Sequence, residues 1–208
     1  MAADTRQRIV EEALRLFGRN GYAGTSVADV ERAAGLKPGG GGLYAHFESK
    51  KDLLAAAIEQ SVATARVDSF VQATLPTGDL RSEVTVIVLG SLLMLDSAED
   101  LLRILLKEGE QFPELFDDAR KRVLAPAYRY LADWLASKAS AAALAEHDPE
   151  AVANMVLGAI SNYWFQTRLF DWQPNDVDEQ RFIAAAVDFV LRLTPRPPSA
   201  GARRRKAP

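Results

Sequence analysis

The sequence contains no cysteine. That excludes disulfides, thiolate metal sites and cysteine nucleophiles together, and it fits a reducing compartment, so the expected location is cytoplasmic. Histidine is nearly as scarce, with two in 208 residues. Long hydrophobic runs are missing too. The longest, residues 84–95, is interrupted by Gly90 and Ser91 and falls short of the ~20 residues of a membrane span. The first 17 residues carry acids and no apolar core, so they do not read as a secretion signal, and no membrane partner is expected. Neither sign of charge dominates: the net charge is -3, which neither favours nor excludes nucleic acid, because only a contact face need be basic. The signatures of catalysis are absent as well. There is no glycine–serine elbow, no phosphate-binding lysine loop and no metal-ligand spacing. The four glycines at 39–42 lack a following Lys-Ser or Lys-Thr. Asp117 and Asp118 are adjacent on a predicted helix and diverge. No enzyme activity, catalytic residue, metal or cofactor is expected.

Helical periodicity fills most of the chain. Ile9, Ala13, Leu16 and Phe17 recur at i, i+4, i+7 and i+8, predicting a first helix over 5–17 that Gly18, Asn20 and Gly21 end. Ser26 precedes Val27 with Asp29 three residues on, a capping-box spacing that opens a short helix reaching Ala34. The break Lys37-Pro38 plus four glycines follows, then a very short helix predicted over 41–47. Ser49 and Asp52 repeat the capping spacing, and a long fourth helix is expected to continue past Arg66. Beyond Leu75-Pro76-Thr77-Gly78 the helices lengthen, over about 80–95, 98–111 and 114–143. Pro126 should kink or split the last of these. Asp148-Pro149 is a good helix start for a helix to about 170, and a final helix is predicted over 176–193. The proline-rich basic tail, residues 195–208, is expected to be disordered. Its residues 203–206 read as a solvated cluster, or as a weak attraction for DNA.

Three short helices, a tight break before the third and a long fourth helix make a helix-turn-helix arrangement, in which the short last helix of the motif enters the major groove. Here the residues carry a resemblance. Leu16-Phe17, Gly21-Tyr22, Thr25-Ser26-Val27, Ala34-Gly35-Leu36, Leu43-Tyr44, His46-Phe47 and Ser49-Lys50 resemble, in order, the signature of TetR-type transcriptional regulators. The resemblance covers the first quarter of the chain. It departs from the family in the break, where residues 39–42 add about two positions. Glycine tolerates the backbone angles such an insertion requires, and the insertion removes side chains where many relatives read bases.

The resemblance implies DNA-contacting roles. Thr25 and Ser26 lie at a helix N-terminus that favours a phosphate. Tyr44 and Lys50 match residues that reach the DNA backbone. Lys37, Pro38, Gly39, Gly41, His46 and Lys51 are added by position, with Lys37 the leading base reader. The residues themselves leave other readings open: Tyr44 as a packed core aromatic, His46 as a solvated surface residue, Lys50 and Lys51 as an ordinary charged helix start. Residues 1–60 hold eight Lys and Arg against eight Asp and Glu, so modest non-specific affinity is expected, with a dimer adding two footprints.

In the body, Val152, Met155, Val156 and Ala159, and likewise Phe182, Ala186, Phe189 and Val190, make two helices apolar over a wide arc. Such a helix must be buried on two sides: as a core helix of a monomer, or in a homodimer, where the family forms a four-helix interface. A small-molecule effector is implied. Its candidate contacts are the aromatics Phe112, Phe116, Tyr128, Trp134, Tyr163 and Trp172 with polar Asn162 and Gln166, each of which also reads as ordinary core.

The expected fold is all-α: an N-terminal three-helix helix-turn-helix module (1–60), joined by a long helix to a helical effector-binding and dimerisation body (61–194). The expected function is a sequence-specific transcriptional regulator, a repressor released from a palindromic double-stranded DNA operator by an apolar or amphipathic effector. The reading left open beside it is a ligand-binding or scaffold protein of the same fold that no longer reads DNA, which the long glycine break favours.

Overall fold

The computed structural model describes residues 2–64, 75 and 77–193, with backbone alone for 2, 3 and 64. The continuation of the fourth helix past Arg66 and the basic tail both lie outside the described residues. Within them every regular element is helical, and no helix is long and apolar enough to cross a membrane. The order is α1 (Ala2–Asn20), α2 (Val27–Ala33), α3 (Lys50–Thr64), α4 (Leu80–Ser97), α5 (Glu99–Glu108), α6 (Pro113–Ala119), α7 (Ala125–Ser140), α8 (Pro149–Trp164) and α9 (Glu179–Leu191).

The helix starts follow from local chemistry. Ser26 caps α2 in a reciprocal box: its side chain accepts the Asp29 amide, and the Asp29 carboxylate accepts the Ser26 amide. Asp79, Asp148 and Asp178 cap α4, α8 and α9 in the same sense, satisfying amides that a helix N-terminus leaves without partners. α2 ends where Gly35 takes φ +73, a left-handed value that costs glycine nothing.

One sequence expectation is corrected and one is borne out. The third helix over 41–47 is a single hydrogen-bonded turn, with the His46 and Phe47 amides both donating to the Leu43 carbonyl. Four preceding glycines carry the highest backbone entropy cost of any residue, so little helix can nucleate there. Over 114–143 the helix is split, as Pro126 predicts: α6 and α7 are joined by a wide π-type turn, Arg120–Leu124, in which the Ala125 amide reaches back to Arg120. Pro126 supplies no amide and its ring would strike the carbonyl four residues back, so the turn widens. A second wide turn, Phe165–Leu169, ends α8.

Two hydrophobic cores result. The first joins α1, α2, Leu43, Phe47 and α3 to Leu101, Ile104, Phe112, Phe116, Ala119 and Val123. The second gathers α4, α7, α8 and α9 around the fully buried Trp164. The Trp164 indole N–H donates to Asp96 at 2.7 Å. In the same core the buried Glu83 accepts the Trp134 indole N–H at 3.0 Å and pairs with Lys138 at 2.5 Å. Both ring donors are thereby satisfied, as buried polar groups require.

Candidate nucleic-acid interface

Between α2 and α3 the chain presents one exposed strip. Lys37, Pro38, Gly39, Gly40 and Gly41 are exposed, and Tyr44 is 57% exposed. His46 is half-buried. The strip is anchored from beneath by Leu43 and Phe47, both in the first core. Helical spacing thus sorts this turn: Leu43 and Phe47 point in, Tyr44 and Ala45 point out. Tyr44 is therefore no core aromatic. Its exposed ring is free to carry its hydroxyl to a phosphate.

Other candidates land differently. Thr25 is fully buried, and its hydroxyl donates to the Leu16 and Gly21 carbonyls at 3.1 and 2.9 Å. Its side chain ties the end of α1 to the start of α2 and is not offered to a ligand, a correction to its expected phosphate role. Ser26 stays exposed at the start of α2, but its hydroxyl donates to Asp29 at 2.5 Å. That bond, with the Arg32 guanidinium at 2.8 Å, holds the Asp29 carboxyl below its ordinary range. The Lys50 ammonium lies 4.2 Å from the centre of the Tyr22 ring. Lys51 turns the other way: it pairs with Glu114 at 2.9 Å and lies over Phe112. It bridges α3 to α6, which corrects its assignment to the DNA face.

Two residues carried no sequence signal. Arg6 of α1 is exposed with its guanidinium 5.0 Å from the Phe47 ring centre, which brings a cation to the edge of the strip. Glu31 of α2 is fully buried, and its carboxylate accepts the Gly39 amide at 2.6 Å and the Leu43 amide at 3.1 Å. No spacing rule marks an acid that serves a loop eight to twelve residues ahead.

The last turn of α5 grips the module. Lys107 Nζ donates to the Gly18 and Arg19 carbonyls, both at 2.7 Å, placing a cation at the C-terminal end of α1 where the helix dipole favours it. Next to it, buried Glu108 accepts the Tyr22 amide at 2.8 Å.

The eight candidate effector contacts do not converge. Phe112 and Phe116 belong to the first core, and Phe112 stacks edge-on against Tyr22. Tyr128 and Trp134 pack in the second core. Tyr163 stacks on Phe182, with ring centres 4.1 Å apart, joining α8 to α9. Gln166 is half-buried in the second wide turn, whereas Asn162 and Trp172 are exposed. The described cavities lie elsewhere. An apolar seam of about 20 Å³ runs between α4, α5 and the first wide turn, lined by Met94, Leu95, Ala98, Leu102, Val123 and Leu124 among others. An open polar cleft of about 490 Å³ lies over the α4–α5 corner, lined by Arg19, Asp96, Ser97, Glu99, Asp100 and Arg103. Aromatic type alone could not separate pocket from core, because both favour the same side chains.

The candidate dimer residues do gather. Met155, Val156, Ala159, Phe182, Ala186 and Phe189 line one apolar groove of about 310 Å³ between α8 and α9. Met155 and Phe189 are 59% and 44% exposed. Val190 is buried in its own core, and Val152 is half-buried against it.

The family model "Bacterial regulatory proteins, tetR family" matches residues 9–57, and "AefR-like transcriptional repressor, C-terminal domain" matches residues 90–193. Among curated proteins, the chain is 42% identical over 60 residues to the HTH-type transcriptional regulator AcrR of Shigella flexneri, covering 29% of this chain and 27% of that protein. It is 37% identical over 57 residues to the biofilm operon icaADBC negative transcriptional regulator IcaR of Staphylococcus aureus strain Newman, covering 27% of each. The chain thus spans about a quarter of the length of the curated relatives it matches. Among solved structures, the TetR-family regulator PfmR of Thermus thermophilus superposes with a TM-score of 0.68 at 21% identity, covering 91% of this chain and 100% of that one. The fatty acid degradation regulator FadR of Bacillus halodurans gives 0.65 at 16% identity over 89% and 94%. These two establish the shared fold.

Proposed function

This chain belongs to the TetR family of bacterial regulatory proteins, and from that premise we propose that it is a sequence-specific DNA-binding transcriptional regulator acting as a repressor in the cytoplasm. The observation that carries the reading is the strip at 37–46: an outward Tyr44 and Lys37 on a turn whose inward residues are locked in a core. Phosphate contacts from Tyr44 and Lys50 fix register, and Lys37 with the glycine backbone reads the groove. The protein performs no catalysis, and residues 61–194 serve as effector and dimer domain.

The working unit is a homodimer closed through the groove between α8 and α9. An apolar patch of this kind on a soluble chain marks an interface, and the same patch on both copies makes a two-fold contact. Two strips then face half-sites about 34–36 Å apart.

An apolar or amphipathic effector enters the seam between α4, α5 and the first wide turn. At its observed size the seam has room for about one water, so binding has to part α4 from α5. α5 carries Lys107 and Glu108, so its displacement moves the end of α1 and the whole module. The effector acts only through its differential affinity for the two arrangements.

Selection of bound duplexes from a random library tests the reading. Enrichment of a palindrome with half-sites one helical turn apart is the expected result. A folded dimer that enriches no sequence at low salt would overturn it in favour of a ligand-binding protein without DNA readout.

A further inference from the structure

The segment that meets DNA here is not a helix held by its own hydrogen bonds. It is a glycine-rich break and one turn, with the Gly40 amide on the Lys37 carbonyl and the His46 and Phe47 amides on the Leu43 carbonyl as its own bonds, and the rest of its hold comes from elsewhere. Glu31 supplies three of the anchors. Its main-chain carbonyl accepts the Leu36 amide at 2.7 Å, and its carboxylate accepts the Gly39 and Leu43 amides at 2.6 and 3.1 Å. The residues so held are the beginning, middle and end of the break.

Burial makes this arrangement exacting. Glu31 is fully buried, and a charged group in that position is tolerated only with its hydrogen-bonding capacity used. The break passes close over this site: a Cβ at Gly42 would sit 3.3 Å from Leu36 Cδ1 and 3.9 Å from the carboxylate. On the other side, Gly39 and Gly41 take φ +72 and +75 with nothing within 4 Å of where a Cβ would stand. The break is therefore pinned from inside and bare outside.

We propose that Glu31 is the positioning residue of the DNA-reading segment: its buried carboxylate holds the lengthened break by the Gly39 and Leu43 amides and so sets where Lys37 and Tyr44 meet the groove. This rests on the reading of the chain as a sequence-specific DNA-binding regulator. Glu31 touches no DNA itself. Sequence readout depends on the exact placement of the strip, whereas non-specific attraction depends mainly on the number of cations near phosphates. A positioning residue therefore affects the first far more than the second.

The test uses the full chain and two probes: a duplex enriched from a random library by the wild-type protein, and a mixed-sequence duplex of the same length. In Glu31→Gln the side chain keeps its size but sets an NH₂ against one of two N–H donors. Affinity for the enriched duplex should fall at least tenfold, while affinity for the mixed duplex at low salt changes less than about twofold. Equal losses on both probes would show a merely structural acid and overturn the proposal, as would no loss on either. Wild-type protein that enriches nothing overturns the underlying reading instead, and this proposal with it. Should the variant fail to fold, hydrogen exchange on the wild-type protein decides. The Gly39 and Leu43 amides should exchange at least tenfold more slowly than that of Gly41, which has no such partner among those described. Equally fast exchange at all three would overturn the proposal.

Discussion

At the scale of single residues, neighbours decide what a side chain can offer. Tyr44 and Thr25 belong to the same motif, yet one is exposed and the other spends its hydroxyl inside the fold. Tyr44→Phe should therefore cost operator affinity on the order of a hundredfold or more, because a dimer loses one hydrogen bond to a charged group, worth about 1.5–3 kcal/mol, in each half-site, and leave the melting temperature unchanged. Affinity by fluorescence anisotropy and a melt by circular dichroism check both halves; a lowered melting temperature would mean the hydroxyl serves the fold. Asp29 gives a pH prediction. Hydrogen bonds from Ser26 and then Arg32 lower its folded-state pKa. The stabilisation is thus present above the ordinary aspartate value and lost as pH falls through the lowered one, in the range below about pH 4. Asp29→Asn should melt lower than wild type at pH 7, with the two curves converging in acid.

At the scale of elements, the junction between α5 and α1 is where the proposed coupling between body and module can be tested. A cation on the α1 carbonyls and an anion on the next amide lie in adjacent positions of one helix turn. Glu108→Ala strips the part-buried Tyr22 amide of its partner and should cost about 1–2 kcal/mol of stability. Lys107→Met keeps the aliphatic stem and loses the charge, for about 0.3–1 kcal/mol. Once an effector is known, Lys107→Met should weaken its effect on operator affinity more than it weakens its binding to the body. Titration calorimetry with and without operator separates the two. Equal losses would place Lys107 outside the coupling.

At the scale of the whole molecule, the proposed dimer would set two copies on the DNA. Each module is neutral by count, with eight cations and eight anions in residues 1–60, so a single copy has little electrostatic hold on DNA. Ala159→Glu places a charge in the apolar groove, on an exposed position that leaves its own core intact. Sedimentation should then show a monomer with a near-normal melt, and operator affinity should drop by a factor on the order of 10² or more, the loss expected when two linked footprints become one. A dimer that survives this substitution would move the interface to another face.

The sequence by itself determined what is local. Period, caps and breakers set out the all-helical architecture, and Ser26-Asp29, Asp148-Pro149 and Pro126 each act within a few residues of their own position. The motif residues from Leu16 to Lys50 likewise sufficed for the family resemblance. Tertiary structure decided everything that depends on which distant segments meet. It folded Phe112 and Phe116 into the module's core instead of a pocket, turned Lys51 toward Glu114, and brought Glu31 under the glycine break and Lys107 onto α1. Helical spacing states which residues share a face of one helix. Which other helix that face meets is set by packing across dozens of residues of intervening chain, and no local pattern encodes it.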